Sequence, residues 1–127
     1  MTNNSQSSAG ASITLDFKRD ILRIHKATLE YLGNPEYVLI NANYDTLALS
    51  IIADDGSTRD CIPVEYLLTN SKSAELRRSY VMQRLLWCCD TLQVGKVYRI
   101  HGRNSDIPNA IKFNLAEAEE LARWVMV

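Results

Sequence analysis

No apolar run in this 127-residue chain approaches the roughly 18 residues that cross a bilayer. The N-terminus also lacks the basic-then-apolar pattern of a signal peptide. A cytoplasmic protein that does not span a membrane is expected. Cysteine is scarce. Cys61, Cys88 and Cys89 are odd in number and two are adjacent, which does not suit a secreted disulfide scaffold and fits a reducing compartment. Neither sign of charge dominates, with 14 Lys and Arg against 15 Asp and Glu. That balance excludes a binder held to nucleic acid by net charge alone, because neutralisation of phosphates by Lys and Arg supplies that kind of affinity.

Catalytic signatures are missing as well. The chain has no Gly-rich phosphate loop, no nucleophile elbow and no H-E-x-x-H, and His25 and His101 lie far apart without flanking carboxylate motifs. Arg103-Asn104-Ser105-Asp106 has the composition of any loop between two strands. No catalytic residue is assigned, and an enzyme is not expected. The cysteines do not form C-x2-C pairs, and adjacent residues on a helix project about 100° apart. No metal and no cofactor are therefore expected, and Cys88 and Cys89 are read as small core residues.

What is present is patterning. Ile13, Leu15 and Phe17 alternate with polar residues, and Leu22 and Ile24 resume that rhythm after Arg19-Asp20, so a hairpin or a single bulged strand fits. Thr28 to Leu32 supply a short helical face that ends at Gly33, with Pro35 beyond it. The runs 37–42 and 47–52 alternate about Asn43-Tyr44-Asp45, which predicts an antiparallel hairpin. Asp54-Asp55-Gly56-Ser57 is a second turn signal, and a short strand is expected around Cys61 to Val64.

A degraded repeat of this order is expected at an offset of sixty. Tyr80-Val81-Met82 matches the strand at Asp20, a helix spans Gln83 to Leu92, Val97 to Ile100 matches the strand at Tyr37, and Ile111 to Leu115 matches that at Leu47. Asn114 with Glu117 reads as the start of a terminal helix whose apolar face is Ala118, Leu121, Ala122 and Val125. The expected architecture is mainly β with short helices: duplicated strand–helix–hairpin units packed as one barrel-like domain, plus the C-terminal helix. Its parts are a polar flexible arm over 1–12, a first half over 13–64, a connector over 65–79 and a second half over 80–127.

Charge is segregated although it sums to almost zero. Lys18, Arg19, Arg23 and Lys26 fall close together, and Lys72, Arg77, Arg78 and Arg84 form a second basic window. Leu22-Arg23-Ile24-His25-Lys26 followed by Leu32-Gly33 and two alternating strands about a tight turn resembles the AbrB/MraZ/SpoVT swapped-hairpin DNA-binding domain, whose half-motif reads approximately G-R-I-x-I-P-K-x-L-x-x-x-L-G. Asp20 and Ile21 stand where that motif has Gly-Arg, and His25 stands where it has Pro. The resemblance implies an interleaved barrel made from paired halves or from a homodimer, with basic residues on the early strand facing DNA.

Two functions follow as expectations. One is a DNA-binding, transcription-regulator-like module without catalytic activity. It would touch phosphates through Lys18, Arg19, Arg23 and Lys26, with Arg77, Arg78 and Arg84 as a second group. The other is a protein-interaction module, a small inhibitor or adaptor of the kind mobile elements encode, with Trp124, Val125 and Met126 as the interface to a host or partner protein.

Overall fold

Strand residues with one buried face dominate the chain, and the computed structural model, which describes residues 10–77 and 79–121, arranges them in two antiparallel five-stranded sheets. The described elements are β1 (Ser12–Asp16), β2 (Ile21–Ile24), α1 (Lys26–Tyr31), β3 (Tyr37–Asn43), β4 (Ala48–Asp54), β5 (Ile62–Pro63), β6 (Ala74–Arg77), α2 (Tyr80–Cys88), β7 (Val97–His101), β8 (Arg103–Asn104), β9 (Ala110–Asn114) and β10 (Glu119–Glu120). The first sheet has the order β10-β7-β1-β2-β6 and the second β5-β3-β4-β9-β8. The sheets do not close into a barrel. The most direct passage between the sheets is β7–Gly102–β8, where one residue separates a strand of the first sheet from a strand of the second.

The early alternation resolves into a hairpin, with Leu15 opposite Leu22 and Thr14 opposite Arg23. Asp16 makes its turn. Oδ1 accepts from the backbone N–H of Lys18 and Arg19, each at 2.9 Å, and Asp20 takes the left-handed backbone (φ 61°) that a turn Asp tolerates. Helix α1 stops at Gly33, whose φ of 82° would strain any residue that carries a Cβ. The β3–β4 hairpin and the short β5 fall where the alternation and turn signals put them.

Four expectations are corrected. Ala11 and Ser12, assigned to the flexible arm, are buried, and Ser12 opens β1. The connector over 65–79 contains β6, whose Ala74 and Leu76 face the core while Glu75 and Arg77 face out. Tyr80-Val81-Met82 is not a strand but the first turn of α2, because Ser79 caps it by accepting from the N–H of Val81 (3.1 Å) and because Met82, Leu85 and Cys89 bury one helical face. Asn114 starts no α-helix among the described residues. Leu115–Glu117 make one 3-10 turn, and Glu119 and Glu120 then pair with Arg99 and Tyr98 of β7. Ala122 and Val125 of that expected helix lie outside the described residues.

Both halves feed one core. Ile13, Leu15, Leu22, Ile24, Leu49 and Ile51 meet Met82, Leu85, Ile100, Ile111 and Phe113, all fully buried. Each such side chain contributes about 1.5–3 kcal/mol of burial. Among the described residues no helix is long and apolar enough to cross a membrane.

Candidate functional site

The nominated basic residues do not form one patch. Lys18 and Arg19 are exposed in the β1–β2 turn, and Arg19 Nε lies 3.0 Å from Asp16 Oδ2. Arg23 projects from β2 and Arg77 from β6, and both converge on the carboxylate of Glu75, at 2.7 and 3.2 Å. Lys26 opens α1 and sits 3.9 Å from Glu30. Arg84 lies on α2 against aromatic rings and not against the sheet. Arg78 is not among the described residues, and neither are Trp124, Val125 and Met126. Arg19, Arg23, Lys26 and Arg77, four of the seven described basic residues of the two windows, are thus taken up by carboxylates. The exposed Lys26–Glu30 pair contributes only about 0–1 kcal/mol, whereas Asp16 and Glu75 are largely buried.

The outward face of the first sheet carries a polar row that sequence reading missed. Register puts Arg99 of β7, Thr14 of β1 and Arg23 of β2 side by side, with Glu119 and Glu75 at the two ends. They face out because Ile13, Leu15, Leu22, Ile24, Tyr98 and Ile100 take the core face of the same strands. Thr14 is only 5% exposed, and its Oγ1 lies 2.7 Å from His25 Nε2. Arg99 Nε is buried with no hydrogen-bond partner among the described residues. A buried donor left unmade costs about 1–3 kcal/mol.

His25 responds to this surrounding. Burial first, then the positive charges of Arg99 and Arg23, lower it from the usual 6.5 to about 4. Neutral imidazole is therefore the folded form at pH 7, and the unfolded chain binds the extra proton between about pH 6.5 and 4. The stability tied to neutral His25 is complete above pH 6.5 and is lost as the pH falls toward 4. After discounting for partial exposure, the span is about 1–2 kcal/mol. Urea melts of the parent and of His25→Gln at pH 7 and pH 4.5 check this. The difference between the two chains should shift by that amount in favour of the variant at low pH, and parallel profiles would sink the assignment.

Helix α2 presents a second surface. Its outward positions Tyr80, Arg84 and Trp87 follow helical spacing, so they line one stripe opposite Met82, Leu85 and Cys89. Tyr80 and Trp87 are 69% and 89% exposed. The Arg84 guanidinium lies 4.8 Å from the ring centre of Tyr44, which reaches over from the β3–β4 turn, and 5.6 Å from that of Tyr80. Arg84 also donates to Tyr80 Oη at 3.1 Å, and this bond raises its already high pKa. No carboxylate lies within ion-pair distance of Arg84 among the described residues. Beside the stripe, Cys88 is exposed, contrary to its expected core role, whereas Cys89 is buried as expected and burial pushes its thiol up.

Arg84 stands out in the sequence for its charge alone, and its aromatic partners are hidden there because Tyr80 reads as strand. Helical spacing from Ser79 onward is the signal that exposes the stripe. Arg99 carries a fainter signal: it alternates with Tyr98 and Ile100, whose phase takes the core, and shares its own phase with Val97 and His101. Comparison with protein-family models, curated proteins and solved structures finds no match to this chain.

Proposed function

We propose that this chain is a small non-catalytic protein-interaction module, of the adaptor or inhibitor type, that binds a partner protein through the Tyr44–Tyr80–Arg84–Trp87 surface. The observation that carries the reading is the exposed Trp87 and Tyr80 flanking an arginine with no carboxylate partner among the described residues. Trp, Tyr and Arg are the residue types that dominate binding energy at interfaces. The partner chemistry follows from charge: an apolar surface bearing a carboxylate that completes Arg84. Single-stranded nucleic acid also stacks on aromatics, but it needs a positive groove along its backbone. One guanidinium on a chain of net charge −1 does not supply it.

The test immobilises the parent chain, an Arg84→Ala/Trp87→Ala chain and a chain lacking the last four residues, and exposes each to lysate of the native host. Parent and truncated chains should retain the same protein, and the double variant should lose it. A partner retained equally by the double variant overturns the α2 surface. Loss on truncation alone moves the interface to Trp124, Val125 and Met126. Sedimentation of the parent chain separates a homodimer, in which the occupant is a second copy.

DNA binding by a transcription-regulator-like module is the second function that a specific observation favours. Arg99 of β7, Arg23 of β2 and Arg77 of β6 lie on one face of the first sheet, with β1 between β7 and β2, and Glu75 pairs with the last two. The order strand, helix, strand, strand also occurs twice, as β2–α1–β3–β4 and β6–α2–β7/β8–β9. In that order β2 pairs with β6 and β4 with β9, both antiparallel. We read this as a duplicated unit about a pseudo-twofold axis, of the kind the swapped-hairpin resemblance implies. Arg19→Ala/Arg23→Ala/Lys26→Ala should weaken binding to duplex DNA and reduce the salt slope by about 0.9 for each phosphate that is no longer neutralised. Absence of binding by the parent at low salt ends this reading.

A further inference from the structure

The polar row on the first sheet has a feature that neither interface requires. Arg99 is half-buried, its Nε is the one buried side-chain nitrogen or oxygen without a hydrogen-bond partner among the described residues, and its cross-strand neighbour Glu119 lies instead beside His101, at 3.7 Å. Buried polar groups in native proteins are hydrogen-bonded, and an orphan of this kind points to a missing ion or ligand. Directly opposite residues of an antiparallel pair stand roughly 5 Å apart. Thr14 is opposite Arg99 on one side and Arg23 on the other, so two guanidinium groups flank one buried hydroxyl.

We infer that Arg99, Thr14, Arg23 and His25 form a binding site for a phosphate-type oxyanion on the outward face of β7, β1 and β2. Arg99 supplies its unmet Nε–H and a full charge. Thr14 Oγ1 sits 2.7 Å from His25 Nε2; when Nε2 carries the hydrogen and donates to Thr14, the hydroxyl hydrogen is free to reach an anion. Arg23 gives Nε and one terminal nitrogen to Glu75, so Glu75 fixes its guanidinium and the remaining nitrogen stays available. Donors arriving from three strands suit an acceptor with more than two oxygens. A planar carboxylate would be satisfied by Arg99 alone. The lowered pKa of His25, caused partly by Arg99 and Arg23, is consistent with the positive field an anion would enter.

The site differs in position from the α2 surface and shares Arg23 and Arg99 with the sheet face read as facing DNA. A phosphate could arrive free or as a nucleic-acid backbone, and the experiment separates these sources. Arginine Nε–Hε resonances of the full chain are followed by NMR during titration with inorganic phosphate, with acetate and with a short DNA duplex, all at one ionic strength. The expected result is a saturable shift of the Arg99 resonance with phosphate, at least tenfold weaker with acetate. Arg99→Gln should abolish the binding, and Thr14→Val should weaken it severalfold while the melting temperature stays within a few degrees of the parent. Tighter binding to DNA than to phosphate, lost in Arg99→Gln, assigns the site to a backbone phosphate. Binding to phosphate without DNA assigns it to a small phosphate ligand. The inference is overturned if the parent shows no saturable shift with either, if acetate matches phosphate, or if Glu119→Gln alone perturbs Arg99 as strongly as phosphate does. The titrations of the parent do not depend on any variant folding.

Discussion

A Gly102→Val chain should melt roughly 10 °C below the parent, a loss of about 3 kcal/mol for a domain of this size. Gly102 is the single residue between β7 in one sheet and β8 in the other. A Cβ at this position would collide with the Ile111 side chain, with Cγ1 at 2.9 Å, and would press on Ala11 Cβ at 3.4 Å. Both neighbours are fully buried and cannot retreat into solvent. The backbone is pinned too, because Gly102 N–H donates to the carbonyl of Ala11 at 2.8 Å. Gly95→Ala is the useful contrast. At Gly95 an added Cβ meets nothing within 4 Å, and only its φ of 84° opposes a side chain, so the cost should be near 1 kcal/mol. The cause is separable by pairing Gly102→Ala with Ile111→Val. If crowding against Ile111 is responsible, the double variant loses less than the sum of the singles. A Gly102→Val chain as stable as its parent would mean that the sheets are not joined through this bend.

How much of this was legible in the residues depends on whether the determining interactions were local. The β3–β4 hairpin was legible because alternation over 37–42 and 47–52 needs no distant partner. Its turn is also locally built, with Asn43 Oδ1 accepting from the N–H of Asp45 and Thr46 at 3.0 and 3.1 Å. Strand β6 was not. Ala-Glu-Leu-Arg within a polar stretch has only two apolar residues, and it is extended because it completes the edge beside β2, some fifty residues earlier. The same logic explains the terminal error. Leu115 to Leu121 has strong helical propensity. The backbone groups of that stretch instead pair with β7, down to Leu121 N–H on Val97 O at 2.8 Å.

The candidate sites divide along the same line. Basic clusters can be counted along the chain, but whether each charge is free depends on cross-strand partners. Glu75 alone takes up Arg23 and Arg77, and it belongs to a strand that reads as connector in the sequence. Arg99 stands outside every local cluster, and it is the arginine left with an unmet buried donor. A charge's value at a surface is therefore set by what the fold puts opposite it. Nominating residues by charge density selects the ones that have gathered neighbours, and neighbours in this chain include the neutralising carboxylates.

Trp87→Ala should weaken partner binding by about thirtyfold or more, the range of an interface hot spot at 2 kcal/mol and above. Fold stability should move by less than about 0.5 kcal/mol, since an 89% exposed side chain leaves no cavity when truncated. The combination is diagnostic, because a residue kept for packing would show the reverse. Arg84 adds a second handle. Its guanidinium is already held over Tyr44 and Tyr80 and hydrogen-bonded to Tyr80 Oη, so little rotamer freedom remains to be given up when a carboxylate arrives. Arg84→Lys keeps the charge but forgoes the planar stacking and the bidentate fork. If the partner supplies a carboxylate, Arg84→Lys should lose roughly tenfold in affinity and keep its salt dependence, whereas Arg84→Gln should lose more and become insensitive to salt. Tyr80→Phe removes only the hydroxyl that steadies Arg84, and a loss of about threefold is expected from it. Calorimetric or biolayer titrations with the purified partner read all four, alongside melts of each variant. Equal affinities for Arg84→Lys, Arg84→Gln and the parent would remove the carboxylate from the interface and leave an apolar contact centred on Trp87.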